Sequence, residues 1–233
     1  MKKTLSLILS LLCVVVIIPF SGCTTYALIK DATDHEEGRL VMKDGTEYIG
    51  RVKMPNFGTK KIRMKTNDGH KIKVKNTDVS IWGVWKKTNT DNVAFLVCHP
   101  YITGKSFSKK KRKIEDPEWM SLEAFGKYVE FYVHSSNYSI NSKGVFKISS
   151  GNGRGMINYL VRKTNEELAV VIGSYKGNKN QLRQELLEYL SDDPELCRRI
   201  ENMEIEPDDF SEIADKYHPQ NPTNKEEFPQ KIL

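Results

Sequence analysis

Four cysteines in 233 residues, with no Cys-x-x-Cys among them, supply none of the spacings of a zinc or iron–sulfur site. The five histidines (His35, His70, His99, His134 and His218) never recur at ligand spacing, and Cys98 and His99, being neighbours, would face opposite sides of a strand. No metal is therefore expected. Nor is there a Gly-x-Ser-x-Gly elbow for a serine hydrolase. The glycine-rich stretch Gly151-Asn152-Gly153-Arg154-Gly155 lacks the Lys-Ser or Lys-Thr pair of a nucleotide loop and reads as a hairpin loop. Glu123 and Glu130, near Trp119, Tyr128 and Tyr132, are the carboxylates that could form a sugar cleft, but aromatic residues in strand-like runs are better read as core. No cofactor is expected. Long apolar runs are equally scarce, with one at residues 5–20, and Pro19 within it leaves it short of the roughly 20 residues a membrane-spanning helix needs.

That run is flanked by Met1-Lys2-Lys3 and followed by Ser21-Gly22-Cys23, the layout of an export signal. Cleavage after Ala27, behind Thr25-Tyr26-Ala27, would release a soluble exported protein. Cleavage before Cys23 better suits the small Ser21 and Gly22. Here the sequence resembles the lipobox of bacterial lipoproteins, with Phe20 standing where leucine is commonest. The resemblance implies a diacylglyceryl group on the Cys23 thiol, and Thr24 in place of aspartate implies the outer membrane, facing the periplasm. Residues 1–22 would be signal peptide and 23–37 a lipidated tether. Such a protein meets the membrane through its anchor and an envelope protein or glycolipid as partner, and no nucleic acid.

Charge divides what remains. Residues 24–180 carry 28 Lys and Arg against 16 Asp and Glu, whereas residues 181–233 carry 6 against 14. The basic part and the acidic part can attract each other in the fold or present solvated surfaces of opposite sign. The run Lys109-Lys110-Lys111-Arg112-Lys113 is a candidate for anionic head groups, although a solvated loop is the simpler reading. With Cys13 inside the signal and Cys23 acylated, Cys98 and Cys197 are the pair that an oxidising compartment permits to bridge, although single buried cysteines are common.

Strand-like runs dominate the basic part. Five lie in residues 38–90, beginning at Arg39-Leu40-Val41-Met42-Lys43 and turning at Asp44-Gly45 and Asn67-Asp68-Gly69. They resemble a small five-stranded barrel of the SH3 or Sm-like kind, and the lysines of His70-Lys71-Ile72-Lys73-Val74-Lys75 read as its wet face. Residues 91–180 form a second antiparallel module. Leu182, Leu186 and Leu190 then mark an amphipathic helix, Asp193-Pro194 opens another, and Pro207-Asp208-Asp209 a third that ends near Tyr217. The helical segment 181–217 packs on the second module, and 218–233 is a flexible tail. Leu186-x-x-Tyr189-Leu190-x-Asp192-Asp193-Pro194-Glu195-Leu196, with Ile213 and Tyr217, resembles the C-terminal signature of uncharacterised exported lipoproteins of Bacteroidota.

The expected fold is α+β, mostly β, ending in short helices. The expected role is a non-enzymatic envelope lipoprotein that binds or supports a partner. The alternatives are an enzyme whose site assembles from scattered residues and a peripheral binder of anionic glycolipid.

Overall fold

Two glycines at positive φ, Gly45 (85°) and Gly69 (90°), make the first hairpin turns, a conformation that side chains resist. The computed structural model describes residues 36–56, 58–103, 113–150 and 156–220. Gly45 joins β1 (Glu36–Met42) to β2 (Glu47–Val52), and Gly69 joins β3 (Lys61–Thr66) to β4 (Lys71–Lys75). A 3-10 turn at Asn76–Asp78 leads into β5 (Val79–Lys86), which returns to pair with β1. The resulting order is β5-β1-β2-β3-β4, with β4 at the end of the sheet.

β6 (Asn89–Thr103) is 15 residues long and serves both halves of the fold. Trp82 of β5 pairs with Leu96, while Val97 and Tyr101 pair with Met120 and Glu115 of β7 (Lys113–Phe125). Successive side chains of a strand point to opposite faces. Leu96 and Cys98 thus join Trp82 and Trp119 in one core, and Val97 and Tyr101 join Met120 in another. The sheet continues through β8 (Val129–His134), β11 (Asn158–Lys163) and β12 (Ala169–Ser174), while β9 (Asn137–Ile140) and β10 (Phe146–Ser149) form a separate ribbon. β12 then pairs in parallel with β6 at Ala169↔Tyr101 and Val170↔Ile102. That contact closes β6, β7, β8, β11 and β12 into a ring. Among the described residues, ten strands in one sheet, two in another and three short helices make the fold α+β and mostly β.

The helices cover the outside of the ring. The Asn178 side chain caps α1 (Lys179–Tyr189) by accepting from Asn180 N at 2.8 Å. Asp193 caps α2 (Pro194–Glu201), whose proline sits where no backbone donor is needed, and Asp209 caps α3 (Phe210–Lys216). Leu186, Ile200 and Ile213 are completely buried against Phe131 and Val161 of the sheet, each burial contributing about 1.5–3 kcal/mol. The Phe131 and Phe210 rings stack at 4.8 Å. Gly126 lies so close to α3 that an added Cβ would stand 2.0 Å from the Ala214 carbonyl oxygen. Gly126→Ala must therefore push the last helix off the sheet. Its urea unfolding midpoint is expected to fall by the equivalent of about 1–3 kcal/mol, and an unchanged midpoint would show that α3 has room to slide.

Candidate functional site

The ring is filled rather than hollow. Val97, Tyr101, Met120, Tyr132, Leu160 and Ala169 meet inside it, and strand alternation sends His99, Glu130, His134 and Arg162 to the same side. Glu130, 2% exposed, accepts from the Tyr132 hydroxyl and from Arg162, whose Nε lies 3.0 Å from Oε2. Arg162 Nε also donates to the Tyr132 oxygen at 3.1 Å, and Nη1 donates to the Glu166 carbonyl at 2.7 Å. Burial first, and the Glu130 carboxylate second, hold the Tyr132 hydroxyl well above the usual tyrosine range, so it remains a donor. His99 lies 5.6 Å from the Tyr132 ring, and His134 lies 5.0 Å from Tyr101. Burial pushes His99 down to about 3, with the positive charges of Arg162 and Lys43 acting in the same direction. Burial also pushes His134 down, and neither of its ring nitrogens has a hydrogen-bond partner.

At one end the ring opens. β12 pairs with β6 only at residues 169 and 170, and beyond them it runs beside β11 while α1 crosses above it. The gap is a cavity of about 620 Å³, within the range of small-molecule sites. Met156, Tyr159, Ile172 and Leu182 supply apolar wall, and Asn158, the backbone neighbour of His134 across the sheet, reaches the same cavity. Leu182 lies against β12 at Gly173. Lys179 stands at the rim, donating to Asp208 at 2.9 Å and Glu206 at 3.4 Å.

One lining group is buried with an oxygen left unpartnered. Glu185 sits on the buried stripe of α1 with Leu182 and Leu186, is 5% exposed, and its Oε1 has no donor. A buried carboxylate oxygen without a partner is costly, and a ligand that brings an N–H or O–H removes that cost. The leucine spacing that marks the helix does not by itself single out Glu185. Its three-residue offset from Leu182 was the signal that it shares their face.

The residues singled out from sequence do not meet here. Cys23 and Lys109 to Arg112 lie outside the described residues, as does the glycine-rich stretch 151–155. Lys113 opens β7 and pairs with Glu115 at 2.8 Å. The possible bridge is not formed: Cys98 and Cys197 are both free thiols. Cys98 lies in the core with Trp82 and Trp119, where burial pushes its thiol up to about 12 although Asn76 donates to its Sγ at 3.3 Å. Cys197 is on α2, packed on the other core, and donates to the Leu190 carbonyl at 3.2 Å. The sugar-cleft aromatics also part company. Trp119 packs edge-on against Trp82, Tyr132 lies inside the ring, and Tyr128 packs against the helical core.

Among the described residues no group of three or more His, Cys, Asp or Glu side chains could hold a metal ion, and no helix is long and apolar enough to cross a membrane. Comparison with protein-family models, curated proteins and solved structures finds no match, so the functional reading rests on this geometry.

Proposed function

We propose that the protein is a non-enzymatic lipoprotein of the cell envelope, anchored through Cys23 on the periplasmic side of the outer membrane. Its body binds a small amphipathic ligand in the cavity between β12 and α1. The observation that carries the binding reading is Glu185 Oε1, buried on the cavity lining without a donor. The ligand chemistry that answers it is an apolar body bearing an ammonium, amide or hydroxyl donor. Asp208, the other carboxylate on the lining, is already engaged by Lys179, and the described lining has no histidine or cysteine. This favours holding a ligand over transforming one. The anchor is supported by Ser21-Gly22-Cys23 behind the apolar run.

Dansylcadaverine, an aromatic amine donor, probes the cavity. Its fluorescence should rise saturably with the wild-type protein. Glu185→Leu should weaken the probe at least about tenfold, the loss of one charge-assisted hydrogen bond. The same change should raise the unfolding midpoint by about 1–3 kcal/mol, because it removes a buried unsatisfied group. Equal probe affinity in both proteins would refute the site. The anchor is tested separately, by intact mass of the protein from the membrane fraction. A mass without acyl chains, or one retaining residues 1–22, removes the lipoprotein reading.

A further inference from the structure

The hairpin of β3 and β4 presents its cations to one another. Lys61 is paired in register with Lys75, Arg63 with Lys73, and Lys65 with Lys71. All six are exposed, while the alternate residues Ile62 and Met64 are buried and Ile72 and Val74 half-buried beneath them. The next strand extends the array, because Arg51 of β2 pairs with Lys65. Arg51 has Glu37 at 3.8 Å, but none of the six hairpin cations has a carboxylate partner among the described residues. Like charges directly opposite one another weaken a sheet. Lysines on an edge strand are a common guard against aggregation, and β4 is an edge. That guard accounts for β4 alone. It does not account for Lys61, Arg63 and Lys65 on the inner strand, nor for the matching of every cation with another.

We propose that this three-stranded face docks on an anionic phospholipid surface. The inference rests on the lipoprotein reading for its choice of partner. Twelve residues (24–35) lie between Cys23 and β1, so an anchored body stays within roughly 45 Å of the bilayer, where the cationic face and head-group phosphates are held together. An open array of seven cations at strand spacing matches a field of head-group phosphates better than it matches a pocketed ligand. The lipid surface also removes the mutual repulsion that the free protein carries.

The test uses the chain purified with its lipid from membranes and reconstituted into phosphatidylcholine vesicles, with or without about 30 mol % phosphatidylglycerol. Amine acetylation read by mass spectrometry reports each lysine. On anionic vesicles Lys61, Lys65, Lys71, Lys73 and Lys75 should label about fivefold more slowly than on neutral ones, with Lys143 and Lys216 unchanged and the protection lost in about 0.5 M salt. Lys73→Glu places a carboxylate opposite Arg63. It should raise the unfolding midpoint of the free protein, which shows the variant folded, and return the other lysines to their labelling rate on neutral vesicles. Equal labelling on both vesicles, or protection seen only with a soluble nucleic acid or anionic polysaccharide, overturns the proposal. Failure to enter neutral vesicles overturns the anchor instead, and the face is then read from the pellets of anionic vesicles.

Discussion

Arg162→Met should be among the most damaging single substitutions in the ring, lowering stability by about 3–5 kcal/mol, because it strands the Glu130 carboxylate in the interior. Arg162 supplies two of the donors that hold Glu130 and also ties the ring to the β11–β12 turn through the Glu166 carbonyl. Glu130→Gln should cost less, since a neutral amide tolerates burial and still meets the Tyr132 hydroxyl and the Arg162 fork. The double variant Arg162→Met with Glu130→Gln should recover part of the loss. Urea titrations of the four proteins form a double-mutant cycle. Strictly additive effects would mean that the two side chains do not act as a pair.

How much of this could be read from the chain depends on whether the signal is local. Asp44-Gly45, Asn67-Asp68-Gly69 and Asp193-Pro194 each act within a few residues, and each makes the turn or cap its chemistry favours. No local pattern marks β7 as a strand. Pro117 and the acidic residues around it break the alternation, and its extended form is imposed by pairing with β6 and β8 on either side. Closure of the ring was equally hidden, because two parallel pairings between residues 101–102 and 169–170 leave no pattern in either segment. The ion pair is of the same kind. Glu130 and Arg162 are 32 residues apart and meet through the register of β8 with β11. The cationic hairpin stands between these cases. Its alternation is plain in the sequence, but the opposition of each cation to another follows only once the Asn67-Asp68-Gly69 turn fixes the register. The candidate cavity was read least well. Glu185 could be found by helical spacing, whereas Tyr159 and Ile172 reach it through the pairing of β11 with β12 and Thr103 through the closing contact of β12 with β6.

The ring interior should also make the protein acid-sensitive in a window set by its histidines. His99 is held at about 3 in the folded protein, against roughly 6.5 in an unfolded chain. A lowered histidine means that the unfolded chain binds the proton first. The stabilisation is complete above about pH 6.5 and is lost as the pH falls from there toward 3, by about 2–3 kcal/mol between pH 6.5 and 4.5. His134 is shifted in the same direction by burial and adds to the slope. Carboxylates that are ion-paired in the folded state release their own stability lower on the scale, nearer pH 4, so the histidine window can be separated from theirs. His99→Gln keeps a planar polar side chain but has nothing to protonate. Its urea midpoint should be lower than wild type at pH 7 and should decline less between pH 6.5 and 4.5. The His134→Gln amide should flatten the slope too, and it offers its donor and acceptor to the space where neither imidazole nitrogen now has a partner. A wild-type midpoint that stays level across this interval, or one whose decline survives both substitutions, would mean that the histidines titrate in place and that the ring is open to water.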